Sequence, residues 1–167
     1  MTNTTSLVAQ MRLDSPVGPL TLAATDQGLS FLLFDEPVHY DTELDVPLDP
    51  DQRWLAQAAA ELDGYWQGRC PARFKVPLDL QGTAFQRAVW RALLDVRPGH
   101  TSTYGAIARQ VGAPQASRAA GAAIGRNPVA IIVPCHRIVG SDGSLTGFAG
   151  GLKRKEQLLQ HEGALLV

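Results

Sequence analysis

The apolar run over residues 131–139 is broken by Pro134, Cys135, His136 and Arg137. Val or Ile would have carried a strand through this point, so a thiol, an imidazole and a guanidinium in succession point to chemistry. The thiolate is the nucleophilic form of cysteine, and positive charge from His136 and Arg137 beside Cys135 would lower the thiol's pKa. An inert, buried cysteine is the competing reading, because free cysteine is among the most buried residue types. A carboxylate bears on the same choice. In the last helical segment Lys155, Leu158, Leu159 and Glu162 share one face by three- and four-residue spacing, which turns Glu162 toward the leucines. A carboxylate facing inward needs a partner, and His136 is one candidate; a frayed last turn that leaves Glu162 in water is the other reading.

Composition bounds what these residues can belong to. The 167 residues are 45% hydrophobic and 19% charged, which is ordinary for a soluble globular protein with one substantial core or two small ones. Residues 1–6 lack a basic stretch followed by an apolar core, and no apolar run reaches membrane-spanning length. A cytoplasmic protein without membrane association is therefore expected. In a reducing compartment Cys70 and Cys135 are expected to stay unpaired, and Cys70, with only Arg69 beside it, is read as incidental. Four scattered histidines and two cysteines show no zinc spacing, so neither a metal nor a cofactor is expected. The charge is unevenly spread. Residues 1–81 carry 5 Lys/Arg against 12 Asp/Glu, and residues 82–167 carry 10 against 4, so the halves have opposite sign. A basic half points to a polyanion, with nucleic acid the first candidate, or the two halves simply complement each other.

The elements that must position the cluster follow from patterning. Residues 8–13, 20–25 and 29–34 read as three strands of an antiparallel meander, joined through Ser15-Pro16-Val17-Gly18-Pro19 and Asp26-Gln27-Gly28. Residues 35–51, acidic and with three prolines, read as an irregular surface connection. From Gln52, Leu55, Ala58, Ala59, Leu62, Tyr65 and Trp66 keep helical spacing up to a stop at Gly68. Residues 74–80 alternate and suggest a short extended segment, at an edge because Pro77 cannot donate to a ladder. This leads to a boundary near Gln81-Gly82, dividing a small α/β domain, 1–81, from a mainly α domain, 82–167.

The second half opens on a capping box, Thr83-Ala84-Phe85-Gln86, that starts a helix to about Val96. Thr103 caps a second helix, from Tyr104 to Val111, and Gly112 closes it. A third runs from Gln115 to about Ile124. Two short helices across a tight glycine-containing turn read as a helix-turn-helix. The third helix has almost no bulk, so it suits close approach to something large, with Arg118 projecting, or close burial against neighbours. Residues 129–133 read as an extended buried segment, Ser141-Asp142-Gly143 as a turn, and 145–151 as a glycine-rich loop with free backbone N–H groups. The last helix covers 152–162.

Pro134-Cys135-His136-Arg137, preceded by Ser117-Arg118-Ala119-Ala120-Gly121 and Gly125-Arg126-Asn127-Pro128 and followed by Leu145-Thr146-Gly147-Phe148-Ala149-Gly150-Gly151, resembles the methylated-DNA-protein-cysteine methyltransferases. The likeness runs collinearly from Gly82 to Gly163, and Asp14-Ser15-Pro16-Val17-Gly18-Pro19-Leu20 also resembles bacterial members. The resemblance implies a ribonuclease-H-like first domain and a helix-turn-helix second domain acting on double-stranded DNA that contains O6-alkylguanine, with O4 of thymine as a further substrate. It implies Cys135 as the alkyl acceptor, His136 as its base through a water, and Glu162 as the group that orients the imidazole. By the same resemblance Ser117, Arg118, Ala119, Ala120 and Gly121 face the minor groove and Arg118 fills the place of a flipped nucleotide. Thr103 and Tyr104 meet the DNA, with Tyr104 also touching the flipped base, Ala149 N–H meets O6, and Asn127 holds the turn joining the two parts. The thioether product has no easy leaving group, so the protein should act once, as a monomer, with cooperative assembly on DNA left open. Phe148 departs from the tyrosine of many members and loses any hydroxyl contact there, which leaves alkyl-size preference open. Some members hold zinc in the first domain, and this chain lacks cysteines suited to it. Two other functions fit less well: a non-reacting lesion binder does not need Cys135, and a cysteine hydrolase leaves the basic, helix-turn-helix half unexplained.

Overall fold

The computed structural model describes residues 6–35 and 44–164. Strands β1 (Leu7–Leu13), β2 (Leu20–Thr25) and β3 (Leu29–Phe34) form an antiparallel sheet in that order, within a residue of the expected bounds. Leu20 pairs with Leu13 on one side and Phe34 on the other, and Leu20, Leu22 and Ala24 are buried. Helix α1 (Arg53–Trp66) packs on this sheet through Leu55, Ala58, Leu62 and Tyr65. Its start is closed by Gln52, whose side-chain oxygen accepts from the backbone N–H of Trp54 and Leu55 at 2.9 and 3.1 Å. Of the irregular connection expected over 35–51, residues 36–43 lie outside the described ones. Residues 44–49 lie along β1, where Gln10 N–H donates to the Pro47 carbonyl at 3.0 Å.

The other edge of the sheet is where the two halves of the chain meet. Leu29 N–H donates to the Pro77 carbonyl and the Leu29 carbonyl accepts from Asp79 N–H, both at 2.8 Å, so the proline enters only as an acceptor. Farther along β3, Leu32 N–H donates to the Pro128 carbonyl at 2.9 Å and the Leu32 carbonyl accepts from Ala130 N–H at 3.0 Å. The edge is thus shared between residues of both halves, and the core is continuous from Leu22 and Leu62 to Val89, Ile107 and Val133.

In the second half, α2 (Ala84–Leu93) begins with the expected capping box at Thr83 and Gln86. It ends at Leu93 rather than near Val96, because the next three N–H groups bond three residues back, to Arg91, Ala92 and Leu93, and tighten the last turn. Helix α3 (Tyr104–Gln110) is capped by Thr103, whose hydroxyl accepts from Ala106 N–H at 3.1 Å. Helix α4 (Ser117–Gly125) starts two residues later than expected, and α2, α3 and α4 pack on one another. A two-residue parallel pair was not anticipated: β4 (Ser102–Thr103) with β5 (Ile138–Val139). Helix α5 (Leu152–His161) closes the chain, with Glu162 as its cap. Among the described residues no helix is long and apolar enough to cross a membrane.

Residues 129–133 are buried as expected but are not extended. Val133 N–H reaches back to the Val129 carbonyl at 3.0 Å, and Ile131 has a φ of 70°, a region that β-branched residues rarely occupy. Asn127 imposes the turn from inside: its Oδ1 accepts from Val129 N–H at 3.0 Å and its Nδ2 donates to the Val133 carbonyl at 2.7 Å. Periodicity could not show this, because the closing bonds come from one side chain rather than from a partner strand.

Candidate active site

Cys135, His136 and Arg137 form one turn of 3₁₀ helix between the Asn127-closed turn and β5. The short turn sends neighbouring side chains into different surroundings. Cys135 lies in the wall of an open cleft, which is also lined by Tyr104, Gly121, Asn127, Phe148 and Ala149. His136 is sealed from solvent, as is the side chain of Glu162, and the two meet: His136 Nε2 lies 2.8 Å from Glu162 Oε2. The inward orientation of Glu162 expected from its spacing is therefore the one observed, and the solvated alternative is not.

Arg137 does not act where the sequence suggested. It grips Glu162 with two donors, Nε to Oε1 at 2.8 Å and a terminal nitrogen to Oε2 at 3.0 Å, and another terminal nitrogen donates to the Val96 carbonyl. Its charge is spent on the carboxylate. Burial pushes the Cys135 thiol above its usual range, against the hydrogen bond from Asn127 and the charge of Lys155. The resting cysteine is therefore a thiol, and the expected lowering by His136 and Arg137 is not what the fold produces. Lys155 is 1% exposed and donates to the carbonyls of Ile138 and Thr146, so β5 and the loop over 145–151 share one buried cation.

The protonation states follow from these contacts. Burial by itself would raise the Glu162 carboxyl, but the hydrogen bonds and charges of His136 and Arg137 outweigh it and bring it down to about 2. Burial also lowers His136, against the pull of Glu162, so the imidazole is neutral. A carboxylate can only accept, so His136 carries its proton on Nε2 and leaves the Nδ1 lone pair open. Among the described residues Nδ1 has no hydrogen-bond partner. The arrangement is a protonated thiol in a cleft wall and, behind that wall, a neutral imidazole whose free nitrogen is a base. It can take a proton from the thiol when an electrophile arrives, and it suits covalent transfer to sulfur.

Of the other expected site residues, Tyr104, Asn127, Phe148 and Ala149 share the cleft with Cys135. The Tyr104 hydroxyl lies 2.8 Å from that of Thr146. Among the described residues no acceptor pairs with Ala149 N–H. Ser117, Arg118 and Ala119 are exposed at the start of α4, outside the cleft, and Thr103 is half-buried beneath α3. Ala120 is completely buried and does not belong to the exposed face expected of it, since α4 turns that position into the packing with α2 and α3. Ala122 and Arg126 are exposed instead, four and eight residues beyond Arg118. Gly121 is half-buried, and a β-carbon there would stand 3.5 Å from the Tyr104 ring. Two residues were missed. Lys155 was legible, since it shares the leucine face with Glu162 and a cation there also needs acceptors. Tyr65, whose hydroxyl donates to Glu162 Oε2 at 2.7 Å, reads only as an apolar helix position.

A ribonuclease-like α/β layer followed by a helical domain, with a cysteine cleft in the second, defines a class of covalent transferase. Residues 10–80 match the family model of the 6-O-methylguanine DNA methyltransferase ribonuclease-like domain, and residues 84–164 match that of its DNA binding domain. Curated methylated-DNA-protein-cysteine methyltransferases of Mycobacterium tuberculosis and Methanosarcina acetivorans are 47% and 43% identical. The alignments cover 90% of this chain in each case and 89% and 96% of those proteins. The crystal structure of Mycobacterium tuberculosis OGT in complex with DNA superposes with a TM-score of 0.83 at 45% identity, covering 93% of each chain. The chain belongs to the methylated-DNA-protein-cysteine methyltransferase family.

Proposed function

We propose that this protein repairs duplex DNA by moving an alkyl group irreversibly from O6 of guanine to Cys135, each molecule reacting once. The observation that carries the reading is the buried cleft thiol backed by a neutral, carboxylate-held imidazole, in a chain of this family. As the Cys135 proton passes through a water to His136 Nδ1, sulfur attacks the alkyl carbon in line with O6. The S–C bond forms, the C–O6 bond breaks and its electron pair returns to the base. The proton lost by the thiol ends on N1, so guanine and a thioether are the products. A thioether holds its carbon with no good leaving group, hence the single turnover. O4 of alkylated thymine presents the same kind of ether and is the secondary substrate.

A stacked base cannot bring the carbon on its O6 to a thiol recessed in a cleft wall, so the nucleotide turns out into the cleft. The Ala149 N–H, unpaired among the described residues, supports a contact to O6 there, and Tyr104 and Phe148 form walls for the base. Arg118, exposed at the start of α4, takes the vacated place in the duplex, while Ser117 and Ala119 face the groove together with Ala122 and Arg126, which take the place of the buried Ala120. The α3–α4 pair acts as the helix-turn-helix, with Thr103 and Tyr104 at its leading edge. The DNA complex of the Mycobacterium tuberculosis protein supports the DNA partner. The two domains divide at 81/82, just before the Thr83 cap.

Intact-protein mass measurement after incubation with a duplex holding one O6-methylguanine tests the reading. The expected result is a gain of one methyl group per protein, on the peptide containing Cys135 and saturating there. Lesion binding without a mass gain would overturn it in favour of a non-reacting binder.

A further inference from the structure

The carboxylate that holds His136 is also held by the other domain. Glu162 Oε2 accepts from His136 Nε2 at 2.8 Å and from the Tyr65 hydroxyl at 2.7 Å, across 97 residues of sequence. Tyr65 stands near the end of α1 and is completely buried. Its ring is wedged edge-on against Trp66 and tilted against Phe74 and His161, with centroids 4.8 to 5.8 Å apart. Its carbonyl accepts from His161 Nε2 at 2.6 Å. The hydroxyl is thus fixed on Oε2 from both its ring and its backbone.

We propose that Tyr65 is a positioning residue for alkyl transfer: its hydroxyl, contributed by the first domain, shares the Glu162 oxygen that holds His136 and so sets how strongly the imidazole binds a proton. The inference rests on the reading of Cys135 as acceptor and His136 as its base. Oε2 also accepts from a terminal nitrogen of Arg137 at 3.0 Å, and an oxygen shared among three donors offers each less negative charge than it would offer two. With the hydroxyl removed, Oε2 pulls harder on the Nε2 proton and stabilises the imidazolium form. Burial and the neighbouring carboxylate both keep the phenol protonated, so it remains a donor throughout the working pH range. The other charged and titratable groups around this cluster are Arg137, Lys155, Cys70 and His161, and all are left in place by the variants below.

Single-turnover methyl transfer from a lesion duplex is measured against pH for the full chain, for Tyr65→Phe, and for the chain with 3,5-difluorotyrosine at position 65. Transfer needs neutral His136, so its rate falls on the acid side as the imidazole is protonated. The acid limb is expected to move up by roughly one pH unit in Tyr65→Phe. Difluorotyrosine is a stronger donor of the same shape, so its limb is expected to move down. A merely structural tyrosine would lower the melting temperature in the Phe variant and leave both limbs where they were, and that result would overturn the proposal. So would a shift of the same sign in both variants. If Tyr65→Phe does not fold, the fluorinated chain alone decides by the direction of its limb. If the unmodified chain gains no methyl on Cys135, the acceptor reading fails, and a nitrogen-15 NMR titration of His136 still tests Tyr65. An imidazole that titrates higher in the Phe variant supports the coupling, and one that does not move overturns it.

Discussion

Cys135 shows how burial and reactivity are separated at a single residue. Its thiol is held above the usual range, so the fold stores no free thiolate, and the neutral imidazole proposed as its base is sealed behind the wall of the cleft. A thiolate waiting in the open would react with any small electrophile, whereas a buried thiol reacts when a bound substrate and a proton acceptor are present together. Iodoacetamide at pH 7 is therefore expected to label Cys135 at least about tenfold more slowly than an unstructured cysteine peptide, with the lag abolished by denaturant; peptide mapping over time checks this. Cys135→Ser is expected to abolish methyl transfer while leaving lesion-duplex affinity within about threefold, since the cysteine side chain adds little to binding area. Gel-shift titration of that variant reads the affinity, and parallel loss of binding would mean that the thiol is structural. The cysteine and histidine were legible from their types. Their protonation states were not, because these depend on desolvation and on Asn127, Lys155 and Glu162 arriving from other elements.

Elements set what the cleft admits. The loop over 145–151 forms one wall, and it is pinned from the first domain: the Phe34 and Phe148 rings meet edge to face at 5.8 Å, and Arg154 lies over Phe34 while donating to the carbonyls of Val17 and Gly150. Gly150 sits beneath both rings, where a β-carbon would stand 2.7 Å from Phe34 and 2.8 Å from Phe148. Phe34 is fixed in the core at the end of β3, so Gly150→Ala drives Phe148 toward the cleft. The expected outcome is a benzyl-to-methyl transfer ratio about tenfold lower than that of the unaltered chain, from overpacking, measured as single-turnover rates on matched duplexes. On the opposite side, α4 presents Arg118 beyond the cleft. Arg118→Ala is expected to slow repair of duplex DNA by at least about tenfold more than reaction with free O6-benzylguanine, since in the proposed reading only the duplex needs a base flipped. Equal losses would remove Arg118 from that role. The helices that carry these residues were readable from caps and spacing, while the neighbour beneath Gly150 was not, since Phe34 lies more than a hundred residues earlier.

For the whole molecule, the buried Glu162 cluster is one of the places where the two halves join, and it should govern acid stability. Glu162 titrates near 2 in the folded protein against an ordinary value of 4.5. Below about pH 5 the unfolded chain begins to take up a proton that the folded chain refuses, so stability falls as pH falls through this window toward 2. The full contribution, present above pH 5, is about 3 kcal/mol. His136 acts in the same direction: buried neutral, it resists the proton that the unfolded chain accepts from about pH 6.5 downward. Urea unfolding at pH 6 and pH 3.5 is expected to show a steeper loss for the unaltered chain than for Glu162→Gln, which is less stable at pH 6 but lacks the carboxylate titration. Parallel losses would contradict the assignment.

By itself the sequence determined the strands, most helix bounds and the reactive cluster, and offered the inward face of Glu162 as one of two readings, because strand alternation, helical spacing and caps act within a few residues. Tertiary structure alone decided that Arg137 serves Glu162 rather than Cys135, that residues 129–133 turn back on Asn127 rather than extend, and that Ala120 is packed away from the exposed face of α4. It also decided that the Tyr65 hydroxyl reaches the Glu162 carboxylate. Each of these depends on which distant group supplies a charge, a donor or a packing surface, and local pattern carries no record of partners brought together only by folding.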